Sequence, residues 1–240
     1  MRRLLTLAIL ALTPLFAQEP SGGPTQLIIT YRCPPPRRAA FRQYMTELGV
    51  GRFERWKQEG LLKDYRFLFN WYVDVDTWDA MAVLWFPNYA AVARWKDVEK
   101  TSPGGLARDA LDMAWPLNTY SVDVVAHEAA ADPPADLAHA VYFIVAYDFA
   151  TPGAFRDFAR TTIGPQAKAL QREGVLAEST FFANRYPGGK RWQGLSVLVF
   201  KDLDAFARRE EVMAKASNSN LLATNPAREP VIAESVGPIH

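Results

Sequence analysis

The chain has 240 residues, 27 Lys and Arg against 26 Asp and Glu, a formal charge of +1 and one cysteine. So even a balance gives no general pull on nucleic acid or on a charged membrane surface. A single cysteine excludes an internal disulfide, so packing alone must hold the fold.

Met1-Arg2-Arg3, the apolar run Leu4 to Leu12, the break at Thr13-Pro14 and the step from Ala17 to Gln18 read as a secretory signal peptide over residues 1–17. It is too short to span a bilayer, and no later segment reaches that length. The expectation is a periplasmic or secreted protein with no integral membrane segment after signal removal. Residues 18–26, polar and rich in Gly and Pro, are expected to form a mobile tail.

Leu27 to Cys33 reads as a strand, with Cys33 a small buried residue at its end. Pro34-Pro35-Pro36 stops it. A helix starting near Arg37 carries Phe41, Tyr44, Met45 and Leu48 on one face, is interrupted at Gly49-Val50-Gly51, resumes with Phe53 and Trp56, and ends at Gly60. Strands over 65–73 and 80–86 enclose an acidic connection with Asp74, Asp76 and Asp79, read as solvated. A helix capped by Asn88 and a strand from Tyr120 to His127 close the first half. Residues 128–138, rich in Ala, Asp and Pro, form a linker.

The second half, 139–236, repeats this order. Thr151 caps a helix with Pro152 at its first position, Gly164-Pro165 interrupts it and Gly174 ends it. Strands over 180–186 and 195–200 flank Pro187-Gly188-Gly189-Lys190, a hairpin turn. A helix from Asp202 and a strand over 230–236 follow. At a constant offset of 114 positions, residues 40–95 match the second half at 16 of 56 positions without a gap, including Phe67, Asn70, Tyr72 and Trp78 onto Phe181, Asn184, Tyr186 and Trp192. That is a duplication. Each half, 27–127 and 139–236, reads β-α-β-β-α-β, the ferredoxin-like order. The fold class is α+β. The strands are apolar on both faces, as Ile28 beside Leu27 and Ile29 shows. Each sheet therefore needs a second cover, and the sheet of the other half is the available one.

This duplicated pattern, with interrupted first helices and two-faced strands, resembles the dimeric α+β barrel superfamily in tandem form. The resemblance rests on architecture and repeat, not on a catalytic motif. The superfamily includes cofactor-free monooxygenases, EthD-like and NIPSNAP-like proteins, haem enzymes such as chlorite dismutases, and members with no known activity. The resemblance implies that a haem enzyme would hold iron through a histidine on the second half's helices. The three histidines are His127, His139 and His240, and none lies on those predicted helices. No His or Cys spacing suits a metal. No cofactor is expected.

What remains is the repeated Asn-x-Tyr. Asn70 and Tyr72, and Asn184 and Tyr186, share a strand face by period-two alternation, and Arg32 has the parity to join them. Such a set could orient the polar group of an oily ligand. The competing reading bonds the same residues to neighbouring backbone. The halves differ around this set: the counterpart of Trp71 is Arg185, and that of Arg32 is Ala146. Whether the chain is an enzyme is left open. The favoured expectation is an exported, non-catalytic barrel, monomeric or homodimeric, binding a small apolar or aromatic molecule or a partner protein. The alternative is a cofactor-independent monooxygenase or related small-molecule enzyme.

Overall fold

The structure is a computed structural model that describes residues 25–131, 137–216 and 230–237. The signal-peptide reading of residues 1–17, most of the expected tail and His240 lie outside the described residues. Gln26 already belongs to the first strand. Among the described residues, no helix is long and apolar enough to cross a membrane.

The first half runs β1 (Gln26–Arg32), α1 (Arg38–Tyr44), α2 (Val50–Gln58), β2 (Asp64–Asn70), β3 (Ala80–Trp85), α3 (Tyr89–Thr101), the short α4 (Arg108–Leu111) and β4 (Trp115–Ala129). The second runs β5 (Val141–Tyr147), α5 (Pro152–Phe158), α6 (Gly164–Arg172), β6 (Leu176–Asn184), β7 (Gly194–Phe200), α7 (Leu203–Ala216) and β8 (Val231–Ser235). All pairings are antiparallel, and the strands close into one barrel in the order β1-β3-β2-β8-β5-β7-β6-β4. The first half contributes β4-β1-β3-β2 and the second β8-β5-β7-β6, the same order twice. Closure comes from β2 pairing with β8 and β4 pairing with β6, each a contact between halves. The chain thus closes its own barrel.

The two-faced strands are used as the sequence demands. Leu27, Ile29 and Tyr31 pack under the first half's helices with Phe41, Phe53, Phe67 and Trp95. Phe143, Tyr147, Phe155, Phe181 and Phe206 do the same in the second half. The opposite faces fill the lumen with Ile28, Leu68, Val83, Val122, Tyr142, Phe182, Leu195 and Val197. Cys33 is buried, and burial above all, with the negative Asp79 beside it, pushes its thiol up to about 12. That is the inert, structural cysteine the sequence suggests.

Two expectations need correction. Strand β4 is longer than predicted: it starts at Trp115 and takes in Glu128 and Ala129, which the sequence assigned to the linker. Pro116 hid its start. It is tolerated at a bulge, where the pairing of β4 with β1 skips a residue. The helix interruptions are also not breaks. Each is one turn of π-helix, Met45–Gly49 and Ala159–Ile163, inside a continuous helix. Gly49 and Gly164 keep ordinary helical angles. The two π-turns, and the helical segments on both sides of them, recur at the same offset of 114. Gly60 and Gly174, φ 68° and 70°, follow the paired helices in the left-handed conformation.

The π-turns set opposite expectations for two glycines. A Cβ on Gly164 would stand 2.8 Å from the Ala159 carbonyl oxygen, which is backbone and cannot swing away. One on Gly51 would meet nothing within 4 Å. Gly51→Ala is therefore expected to stabilise by about 0.5–1 kcal/mol, and Gly164→Ala to destabilise by about 1 kcal/mol or more. Thermal unfolding of the two variants checks the signs; a stabilised Gly164→Ala would contradict the account.

Candidate functional site

The five residues singled out from sequence occupy the loop end of the barrel, but none of them lines its cavity. Asn70 is buried and donates its amide to the Trp78 carbonyl at 3.0 Å, while its Oδ1 accepts from the Tyr72 backbone at 3.0 Å. Asn184 does the same with the Trp192 carbonyl at 3.2 Å and the Tyr186 backbone at 3.1 Å. Both amides tie the two ends of a strand connection together. Tyr72 and Tyr186 are 63% and 60% exposed. Arg32 spends its guanidinium on the carbonyls of Asp74 (2.6 Å), Val75 (3.0 Å) and Thr77. The competing reading, bonding to backbone, describes these side chains.

Asp79 also departs from expectation. It is 2% exposed rather than solvated. Its carboxylate accepts from the Cys33 backbone at 2.9 Å and the Arg38 Nε at 3.1 Å, and Arg32 lies 3.8 Å away. A buried carboxylate needs such partners.

A cavity of about 50 Å³ lies at this end of the lumen. Its wall includes Trp78 and Trp192, equivalent residues of the two halves, with Tyr120, Met81, Ile144 and Leu195. Tyr120 stacks on Trp192, ring centroids 4.2 Å apart and planes inclined by 25°. The polar lining is Thr30, Thr77, Asn118, Asp76 and Arg191. Arg191 is the one cation among these lining residues, and its guanidinium donates to the Asp76 carbonyl at 3.3 Å. Asn70 and Asn184 thus act on the cavity indirectly, each holding the carbonyl of a wall tryptophan. A cavity of about 150 Å³ is needed to take benzene, so in this conformation the space accepts a few waters and no aromatic ring.

The opposite end of the lumen is plugged by an ion pair that the sequence reading did not single out. Arg66 on β2 and Glu178 on β6 meet in a two-pronged bond of 2.7 and 2.5 Å. These strands lie on opposite sides of the barrel, so the pair crosses the lumen. Trp85 covers the Arg66 guanidinium, 5.7 Å from ring centroid to Cζ. Thr180 donates to Glu178 at 3.2 Å, and His127 Nδ1 lies 3.6 Å from the carboxylate. Tyr142, fully buried, stands near the pair, and burial raises its phenol above the ordinary value. A signal for this pair was present: Arg66 shares parity with Leu68, and Glu178 with Phe182, so both are charges on lumen faces.

Haem does not fit these residues. Neither α5 and α6 nor α7 carries a histidine. The second half's space between helices and sheet is packed by Tyr147, Phe149, Phe155 and Phe158, with centroids 5.3–6.4 Å apart. Among the described residues, no group of three or more His, Cys, Asp or Glu could hold a metal ion.

No protein-family model matches the sequence, and no curated protein matches it. Solved structures do. A proposed monooxygenase of Fusobacterium nucleatum superposes with a TM-score of 0.54 at 13% identity, over 90% of this chain and 94% of the other. An anthrone oxidase-like protein gives 0.55 at 11%, over 92% and 93%. A mutant chlorite dismutase of Candidatus Nitrospira defluvii gives 0.53 at 10%, over 90% and 92%. At this level of identity the likeness is one of fold, and this chain shares the fold of these proteins. The expectation of a non-catalytic binding barrel is corrected by this set, because the similar structures are named as a monooxygenase, an anthrone oxidase-like protein and a chlorite dismutase. The enzymatic alternative has the better support.

The lumen ion pair has a pH signature. Burial pulls the Glu178 carboxyl up, but the hydrogen bonds and charge of Arg66 outweigh it and hold it below the ordinary value. A lowered carboxyl stabilises the fold above its unfolded value, about 4.3, and loses that contribution as pH falls through the lower folded value. Glu178→Ala is expected to cost about 3–5 kcal/mol at pH 7, because it strands the Arg66 charge. Denaturant titrations at pH 7 and pH 3 should show the gap shrinking at the lower pH; an equal gap would contradict it.

Proposed function

We propose that the protein is a cofactor-independent oxygenase, or a closely related small-molecule oxidising enzyme, working at the loop-end cavity. The observation that carries this reading is the composition of that wall: two tryptophans and a stacked tyrosine around an apolar space, with one guanidinium at the rim. Flat aromatic faces hold a planar substrate by stacking. Arg191 faces the place where an enolate or phenolate oxygen would sit, where charge-assisted hydrogen bonds favour the anion. Thr30, Thr77 and Asn118 supply neutral hydrogen-bond partners, and Asp76, the one carboxylate in the lining, is the proposed proton acceptor.

The chemistry needs no resident group. A methylene flanked by hydroxylated rings loses a proton, the carbanion gives electrons to dioxygen, and the methylene becomes a carbonyl while the second oxygen atom leaves as water. The name of the anthrone oxidase-like neighbour lends support to this class. At 11% identity, that support is for a shared scaffold. We also read the two halves as tandem ferredoxin-like repeats over 27–127 and 139–236. The repeated strand order, the π-turns and the paired glycine caps support that reading. Export from the cytoplasm belongs to the same proposal and is supported by the N-terminal residues alone.

Oxygen uptake with anthrones and naphthols tests the function. Turnover is expected with at least one hydroxylated aromatic, and Arg191→Gln should lower it on the order of 10²-fold, as loss of an oxyanion partner does. Trp192→Ala should abolish it. No uptake across the panel, or full activity in Arg191→Gln, would overturn the proposal.

A further inference from the structure

The two connections that rim the cavity are the same element of the duplicated fold, and they are held differently. Residues 71–79 join β2 to β3, and 185–193 join β6 to β7. At the base they share one device, the asparagine that bonds the tryptophan carbonyl: Asn70 to Trp78, and Asn184 to Trp192. Arg185 adds a bond to Asp123 at 2.9 Å at the base of the second connection.

At the tip they part. The first is caged from below. Arg32 takes the Asp74, Val75 and Thr77 carbonyls, Arg38 takes the Asn70 and Tyr72 carbonyls, and buried Asp79 holds both arginines. In the second half the positions of Arg32 and Arg38 are Ala146 and Pro152, which have nothing to donate. The tip there is Pro187-Gly188-Gly189, with Gly189 at φ +69°, and a Cβ on either glycine would meet nothing within 4 Å. Two side-chain bonds hold the tip down: Lys190 Nζ to the Thr119 carbonyl at 3.1 Å, and Arg191 to the Asp76 carbonyl at 3.3 Å. Lys190 also lies over the Tyr120 ring at 5.2 Å. The cavity is too small for an aromatic ring, so a ring can enter only if one rim gives way. The caged rim would break a buried charge network to do so; the glycine rim would break two bonds to carbonyls.

We propose that Pro187–Arg191 is the lid of the barrel cavity, hinged at Tyr186 and Trp192, and that Arg32 is a positioning residue that fixes the opposite rim. This rests on reading the cavity as the functional site, and it goes beyond it by assigning the moving part. Opening carries Arg191 away from Asp76 and exposes the Tyr120–Trp192 stack. Closing returns the guanidinium to the mouth.

Limited proteolysis of the full chain reads both rims without any ligand. Trypsin reports opening at Lys190 and Arg191, and an Asp-specific endoprotease reports opening at Asp74, Asp76 and Asp79. Each rate is compared with that on a free peptide of the same sequence. The second rim is expected to be protected at least about tenfold less than the first, since local opening sets such rates. Arg32→Ala should bring the first rim to the level of the second, while Arg32→Lys keeps part of the protection. Acrylamide quenching of tryptophan emission gives an independent reading. Lys190→Ala/Arg191→Ala should raise the quenching slope at an unchanged melting temperature. Equal protection of the two rims, cutting at Lys190 and Arg191 only with global unfolding, or an unchanged quenching slope would each overturn the lid. If the proteolysis and quenching results hold while no aromatic substrate drives oxygen uptake, the oxidising function falls and the lid stands.

Discussion

A strand that is apolar on both faces cannot leave either of them to water, and this constraint organises the whole molecule. Helices cover one face of each half. Nothing within a half can cover the other, so the halves must face each other, and the gaps between their sheets must also be closed. Strands β4 and β8, the last of each half, do this by pairing with β6 and β2 of the other half. Eight strands in a ring leave a narrow lumen, which side chains fill almost completely. Polar groups inside the lumen then gather toward its two ends, near the strand connections. At one end the lumen is plugged by Arg66 and Glu178. At the other a small cavity survives.

The plug also bears on pairing between halves. Arg66 belongs to the first half and Glu178 to the second, and their equivalents by the repeat are Thr180 and Asp64. A copy of the first half facing itself would bring Arg66 toward another Asp64. The second half has an acid at the equivalent position, Glu178, but Thr180 in place of the base, so one crossing pair forms instead of two. A buried ion pair of this kind adds little net stability over an apolar pair of the same shape, because desolvation offsets most of the attraction. It does penalise any arrangement in which either charge loses its partner. That favours one relative placement of the halves over others of similar hydrophobic burial.

Most of the fold was legible because it is written in apolar runs, helical periodicity and repetition. Apolar, β-branched runs bounded by Pro and Gly pointed to the strands, the apolar helical faces pointed to the helices, and the offset of 114 pointed to the repeated order. What escaped was local. A π-turn has helical backbone angles, so Gly49 and Gly164-Pro165 look like breaks in sequence although the helix carries on through them. Pro116 masked the start of β4 because the bulge that tolerates it depends on a partner strand far away in the chain. Asp79 looked solvated among acidic neighbours, since only the fold brings Arg32 and Arg38 against it. The cavity was not legible at all. Its lining comes from β1, β3, β4, β5, β7, β8 and two connections, and no run of residues announces it.

That none of the five candidate residues lines this cavity has a more specific cause. Four of the five candidates, the two Asn-x-Tyr pairs, were residues identical in both copies, and Arg32 joined them by strand parity. In a duplicated chain, identity between copies marks what both copies must do, and both must close a hairpin and seat a tryptophan. Asn70 and Asn184 do that. Chemistry on a single substrate breaks the symmetry of the two halves, so its residues should be sought where equivalent positions differ. Thr77 lines the cavity and its counterpart is Arg191, which lines it too, so one of the two equivalent places at the mouth carries a charge. Arg32 anchors one rim and its counterpart is Ala146, which lines the cavity as a small neighbour of Ile144. The differences cluster at one end of the barrel, around two tryptophans that did not change. A symmetric scaffold with an asymmetric mouth is the arrangement expected when a duplicated barrel has specialised one half to hold still and the other to move.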